Sequence, residues 1–175
     1  RNLGVSADIV PMTDDSVRTL IKSVEGDLSF QDYFVRRQCE PVLTGVSFIG
    51  AESATMAPQF SLALSSADAM IICPSNPIVS IGPILAVPGV EDAIREFRGP
   101  RIVVSPIVDS QAIKGPAAKM MQELGQDVSS VGIARYYAGL SDVVVIDLVD
   151  KENINEISEL GLSVEIRNTI MSSLE

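Results

Sequence analysis

Ala69-Met70-Ile71-Ile72-Cys73 is an unbroken apolar run that stops at Pro74-Ser75-Asn76-Pro77. A short run without apolar–polar alternation matches a strand covered on both faces, the habit of parallel sheets. Val143-Val144-Val145-Ile146 repeats it, and residues 42–49, 102–108 and 143–149 read as further buried strands, with a weaker one at residues 5–10. Helical spacing fills the gaps. Phe60, Ala63, Leu64 and Ala67 recur at i, i+3, i+4 and i+7, as do Val90, Ala93, Ile94 and Phe97, and Ala117, Met120, Met121 and Leu124. Pro58 and Pro116 suit first turns, and Gly125 suits a C-terminal stop. Two more helices are expected at Ile133, Tyr136, Tyr137 and Leu140, and at Ile154 and Ile157. Strands alternating with crossover helices predict an α/β protein with an open, mainly parallel, Rossmann-like sheet. Residues 17–38 break the rhythm. A strand at 17–24, a turn at Glu25-Gly26-Asp27 and a stripe of Phe30, Tyr33 and Phe34 predict an inserted hairpin and short-helix cap.

The composition excludes several classes of function. With 46% hydrophobic and 21% charged residues, the 175-residue chain can bury a core and is neither disordered nor fibrous. Its 13 basic and 23 acidic residues leave a formal charge of −10, so no nucleic-acid partner and no membrane partner is expected. Histidine is absent, which removes imidazole acid–base chemistry and His-based metal sites. Cys39 and Cys73 make no zinc or redox spacing, and reduced thiols predict an intracellular, cytoplasmic protein. The chain opens on Arg1-Asn2 and carries nothing like a signal peptide; a fragment is expected.

In open α/β sheets ligands sit at the carboxyl ends of strands. The run at 69–73 exits into Pro74-Ser75-Asn76-Pro77, with Ser80 and Gly82 close behind. Ser75 and Asn76 offer polar groups near a helix start, suited to a phosphate or carbonyl; an N-cap pair before a broken helix is the plainer alternative. The doubled proline favours the ligand loop. Lys114, ahead of Gly115-Pro116 and a helix, is either a phosphate partner or a solvated lysine. Thr13, Asp14 and Asp15 follow the first expected strand and read as a magnesium-binding carboxylate pair or as an acidic turn. Arg36 and Arg37 either meet an anion or complement the last turn of a short helix. Asp147 and Asp150 point to opposite faces if the strand persists between them, which argues against a metal pair.

The run Pro74-Ser75-Asn76-Pro77-Ile78-Val79-Ser80-Ile81-Gly82-Pro83-Ile84-Leu85 resembles the signature of the 2-phospho-L-lactate transferases, the CofD family of coenzyme F420 biosynthesis. Pro11-Met12-Thr13-Asp14-Asp15, Phe30-Gln31-Asp32-Tyr33-Phe34-Val35-Arg36, Val104-Ser105-Pro106-Ile107-Val108, Lys114-Gly115-Pro116-Ala117 and Val145-Ile146-Asp147 agree in order. The resemblance implies transfer of a 2-phospho-L-lactyl or phosphoenolpyruvyl group from a GDP-linked donor to the deazaflavin Fo, with GMP released and Mg²⁺ assisting. It implies a ligand cleft at Ser75, Asn76 and Pro77, supported by Ser80 and Gly82, with Thr13, Asp14, Arg36 and Lys114 as further contacts. Members of that family are longer and begin with a strand and a Gly-rich phosphate loop. Residues 1–175 therefore resemble the C-terminal part of a CofD-like α/β domain, an incomplete domain whose N-terminal Gly-rich part would be its partner, alongside a second copy in a homodimer. The alternatives are a non-catalytic nucleotide-sugar-binding regulator of the same superfamily, and a purely structural piece.

Overall fold

A three-stranded sheet, a four-stranded sheet and a two-stranded hairpin account for the strands among the described residues. The computed structural model describes residues 7–113 and 115–171. Strand β1 (Arg18–Ser23) turns into β2 (Gly26–Ser29), a π-helical turn follows at Asp32–Arg36, and β3 (Leu43–Ile49) returns antiparallel along β1. The order β2-β1-β3 makes the expected hairpin insert three-stranded. The run at 42–49 therefore belongs to the insert and not to the parallel sheet, a correction. Thr44, Gly45 and Ser47 interrupt its apolar content, and each β3 residue from Gly45 to Ile49 finds its antiparallel partner on β1. Residues 7–10 form no strand, which corrects that half of the expected 5–10 strand; residues 5 and 6 lie outside the described residues.

The second sheet is parallel throughout. Helix α1 (Pro58–Ser66) leads to β4 (Met70–Ile72); α2 (Gly82–Leu85) and α3 (Val90–Arg95) lead to β5 (Arg101–Val104). A small hairpin, β6 (Ile107–Val108) and β7 (Gln111–Ala112), precedes α4 (Ala117–Glu123) and α5 (Ser130–Tyr136). Then come β8 (Val143–Asp147), α6 (Ile154–Glu159) and β9 (Ser163–Arg167), giving the order β4-β5-β8-β9. The run at 102–108 is broken at Ser105-Pro106, because proline has no N–H for the ladder. The run at 143–149 leaves the sheet after Asp147, where a 3-10 helix begins at Leu148.

Register decides which side chains share a face. Ile72 pairs with Val103, Val103 with Val144 and Val144 with Val164. Both core clusters take their sheet residues from this face: Ile72, Val103, Val144, Ile146, Val164 and Ile166 in one, Met70 in the other. All six α-helices among the described residues pack on these two clusters. Val103 and Val144 are essentially fully buried, whereas Ile71, on the opposite face, is 60% exposed. The expectation that these strands are covered on both faces is met on one face only, among the described residues.

Polar fasteners hold two edges. At the amino ends of β5 and β8, Arg101 N and Nε donate to Asp142 Oδ2 at 2.9 and 3.1 Å, and Asp142 N donates to Arg101 O at 2.8 Å. Hydrogen bonding to that guanidinium holds the Asp142 carboxyl below the usual range. The insert is fixed to α4 by Glu123, which accepts from Leu43 N at 2.9 Å, and by Lys119, which donates to Pro41 O at 3.1 Å. Lys119 Nζ also sits 5.9 Å from the Tyr33 ring centroid, and burial pushes the Tyr33 hydroxyl above its ordinary value.

Candidate functional site

Where β4 ends, the backbone turns sharply and is held there. Asn76 is the N-cap of a π-helical turn at Pro77–Ile81, and its Oδ1 accepts from Ile78 N at 2.9 Å and Val79 N at 3.2 Å. Its Nδ2 reaches Met120 Sδ on α4 at 3.3 Å, and the Tyr136 hydroxyl of α5 donates to Pro77 O at 2.9 Å. The capping side chain satisfies donors that a helix start otherwise leaves open, and Pro77 has no N–H to satisfy. The turn is thus fixed to two helices before any ligand arrives. Gly82, one residue past it, is buried against Phe48: a Cβ there would lie 2.8 Å from the ring's Cζ.

A cleft of about 190 Å³ opens beside the turn, lined by Pro74, Ser75 and Asn76 from the β4 exit, Pro106 from the β5 exit, Ile113 and Ala117 near α4, and Thr169 and Met171 after β9. Larger depressions of about 700 and 640 Å³ lie against α1, but neither takes a residue from the carboxyl end of a strand. The position at three strand exits makes the smaller cleft the candidate. Its polar groups are few. The Ser75 hydroxyl makes no hydrogen bond among the described residues, whereas Thr169 is tied down. Asp147, at the end of β8, accepts from Thr169 N at 2.8 Å, from the Thr169 hydroxyl at 3.0 Å and from Val149 N at 3.2 Å. Burial pushes the Asp147 carboxyl up, but the donors from Thr169, Val149 and Leu148 together outweigh it and hold the group below the usual carboxylate range.

The structure brings some of the expected residues together and not others. Ser75 and Asn76 line the cleft, and Pro77 is buried directly behind them. Ser80 is exposed on the π-helical turn, outside the lining. Thr13 is buried and accepts from Asp15 N at 3.1 Å, while Asp14 lines the separate depression against α1 with Gln59 and Leu62. Arg36 projects into solvent from the insert and pairs with Asp32 at 3.3 Å, one turn away; its neighbour Arg37 pairs with Glu25. Lys114 lies outside the described residues; Ile113 before it lines the cleft. Thr169 is absent from the residues expected at strand exits, and Asp147, weighed there only as a metal ligand, is its holder. Thr169 follows β9, which is not among the strands expected above, and no local signal links it to Asp147.

Asp150 lies one turn beyond Asp147 and is also buried. Its Oδ1 accepts from Asp109 N at 3.1 Å, in the β6–β7 turn, but its Oδ2 is buried with no partner. Burial, ahead of the neighbouring carboxylates, pushes this group above its ordinary value. Asp150→Asn is expected to stabilise the fold by about 1 kcal/mol at neutral pH. A raised carboxyl carries its penalty above its folded value and sheds it below the unfolded value near about 3.9, so the gain should vanish in acid. Urea unfolding of both proteins at pH 7 and pH 3 measures it; a gain of equal size at both would assign it to packing. Among the described residues no three acidic or thiol groups converge on one point, and the oxygens of Asp147 are already committed to N–H and O–H donors.

Comparison with known proteins gives the family. The family model described as 2-phospho-L-lactate transferase CofD matches residues 1–166. The chain belongs to this family. It is 38% identical over 172 residues to a 2-phospho-L-lactate transferase of Methanosarcina barkeri and 41% identical over 177 residues to that of Methanocaldococcus jannaschii. Those alignments cover 98% and 99% of this chain but 55% of each relative, so the chain spans about half the length of the curated CofD relatives it matches. A solved structure, protein BH3568 from Bacillus halodurans, matches with a TM-score of 0.61 at 14% identity, covering 95% of this chain and 57% of that one. At that identity the likeness is one of fold. No described helix is long and apolar enough to cross a membrane.

Proposed function

We propose that this CofD chain forms one wall of a transferase that moves a 2-phospho-L-lactyl or phosphoenolpyruvyl group from a GDP-linked donor to the deazaflavin Fo in coenzyme F420 biosynthesis. The observation that carries the reading is the cleft at the β4 exit, built on the Pro74-Ser75-Asn76-Pro77 run that also carries the family resemblance. At about 190 Å³ it is smaller than the roughly 300–1,000 Å³ of sites that enclose a whole drug-sized ligand. It suits the phosphate or three-carbon acid end of the donor, leaving the guanosine and the deazaflavin to surfaces beyond the described residues.

In the reaction the acceptor hydroxyl attacks the donor phosphorus. A new O–P bond forms, the P–O bond to GMP breaks, and the hydroxyl proton leaves to solvent or a base. Such transfer depends on positioning and on hydrogen bonds to developing phosphate charge. Asn76 Oδ1 is spent on the turn and its amide nitrogen faces Met120 Sδ, so that at most one N–H of this side chain is left for a ligand. Its role is to hold Ser75, whose hydroxyl is the donor offered to a phosphate oxygen. Magnesium is implied by the resemblance and would neutralise charge on the transferred phosphate.

The test uses a polypeptide in which this chain replaces the matching part of the Methanocaldococcus jannaschii relative. Given Fo and the GDP-linked donor it is expected to release GMP, and Ser75→Ala is expected to lower that rate by about tenfold to a hundredfold. No GMP release at saturating donor would overturn the proposal. Stabilisation by a UDP-sugar in preference to GDP would favour a nucleotide-sugar-binding regulator; the relatives named as transferases support the catalytic reading instead.

A further inference from the structure

We infer that Asp150 is a positioning residue for the cleft: from the exit of β8 it fixes the turn of the β6–β7 hairpin, and with it the Pro106 and Ile113 part of the wall that Ser75 also lines. The inference rests on that cleft being the donor site, as proposed above. The hairpin needs holding. Its ladder is two residue pairs long, Ile107 with Ala112 and Val108 with Gln111, and a pair of strands that short is marginal by itself. Its two-residue loop takes left-handed backbone at both positions, Asp109 at φ 50° and Ser110 at φ 58°. Such a loop suits Asp-Gly, and here Ser110 stands where glycine is preferred. A strained turn persists only where its surroundings fix it.

The fixing groups lie at the base and at the tip. At the base Ile113 N donates to Pro106 O at 3.4 Å, while the Ser105 hydroxyl donates to Ile107 O at 2.8 Å and accepts from Ile107 N at 3.2 Å. At the tip Asp109, Ser110 and Gln111 are exposed, and among the described residues one side chain hydrogen-bonds to them. That side chain is Asp150, whose Oδ1 accepts from Asp109 N at 3.1 Å across 41 residues. Asp150 is 6% exposed and belongs to the 3-10 helix Leu148–Asn153, so the anchor is tied to β8, a central strand of the parallel sheet. It lines no part of the cleft itself, whereas Pro106 and Ile113, the residues that bound the hairpin, both do. Its influence on a ligand therefore passes through the hairpin. The orphaned Oδ2 of Asp150 is a cost that packing alone does not require, since an apolar side chain would avoid it. Breaches of this kind gather where a site is held in shape. Asp147 holds Thr169 in the same way, so one strand exit secures two separately connected segments of the cleft.

The test uses the polypeptide in which this chain replaces the matching part of the Methanocaldococcus jannaschii relative. Asp150→Ala and Asp150→Leu remove the acceptor, Leu while keeping the volume filled, and Asp150→Asn keeps an oxygen for Asp109 N. Ala and Leu are expected to raise KM for the GDP-linked donor by about tenfold with kcat changed less than about threefold, and Asn to stay within about twofold of the unsubstituted protein. Adding Ser110→Gly, which relieves the left-handed strain, is expected to return most of the loss. Amide hydrogen exchange on the same proteins reads the hairpin without turnover. Residues 107–113 should exchange at least about tenfold faster in the Ala and Leu variants and at an unchanged rate in Asn, while β8 keeps its protection. If the unsubstituted polypeptide releases no GMP, the transferase reading fails and the exchange measurement still decides the role of Asp150. Unchanged exchange in both Ala and Leu would overturn that role, as would an Asn variant impaired as much as they are, or a loss confined to kcat. Exchange that rises equally in β8 would signal general loosening in place of a lost hairpin anchor, and equally overturn it.

Discussion

Replacing Gly132 by alanine is expected to cost the fold more than about 3 kcal/mol, the largest effect of any single substitution considered for this chain. A Cβ at Gly132 would lie 1.9 Å from Asp127 O and 2.8 Å from its carbonyl carbon. Those atoms are backbone, so no rotamer change relieves the clash. Separation is resisted from both sides. Gly132 N donates to the Ser129 hydroxyl at 3.0 Å, and Arg135, one turn along α5, pairs with Asp127 at 3.0 Å. Moving α5 would also shift Ile133 and Ala134, both fully buried in the larger cluster. Denaturant unfolding measures the loss. Gly45→Ala is the control, because its new Cβ would meet only Lys22 side-chain atoms at 3.6 Å; equal losses in the two variants would refute the steric account.

Asp147→Ala is the second large effect, about 3 kcal/mol at neutral pH. The carboxylate is 4% exposed and satisfies Thr169 N, the Thr169 hydroxyl and Val149 N, so its removal strands buried donors at the edge of the cleft. The sign with pH follows from the depressed folded value. The stabilisation is present above the unfolded value near about 3.9 and is lost as pH falls through the folded one. Wild-type and variant stabilities should therefore converge in acid. Urea unfolding at pH 7 and at pH 3 or below reads the gap. A gap of constant size would mean that packing, and not the charge, supplies the effect. Thr169 also loses its anchor, so ligand affinity at the cleft should fall even where the variant remains folded.

The parallel sheet was legible because Ala69-Met70-Ile71-Ile72-Cys73 and Val143-Val144-Val145-Ile146 are too short for helices and too uniformly apolar for a half-solvated strand. The same uniformity predicted two covered faces, and composition alone cannot say whether the covering atoms lie within these residues. Strand β9 was readable in principle: Ser163-Val164-Glu165-Ile166-Arg167 alternates cleanly, as an edge strand with one wet face should. Residues 42–49 announce a strand and β3 occupies Leu43–Ile49, but pairing is a property of neighbours, and nothing in the run distinguishes β1 from β5 as its partner. At the candidate site the exit of β4 was visible because Pro-Ser-Asn-Pro follows an apolar run directly. The bond between Thr169 and Asp147 was not, since it spans 22 residues and is set by how β8 and β9 lie side by side.

The Arg101–Asp142 clasp adds a last consequence. It grips β5 and β8 at the rim opposite the cleft, with Arg101 N–H groups donating to the Asp142 carboxylate and the Asp142 N–H donating to the Arg101 carbonyl. Cohesion is concentrated at one end of the strands and recognition at the other. Insertions, deletions or wholesale exchange of the connecting segments at the recognition end can therefore remodel substrate preference while the sheet stays zipped from below, which makes this architecture a suitable chassis for grafting new turns.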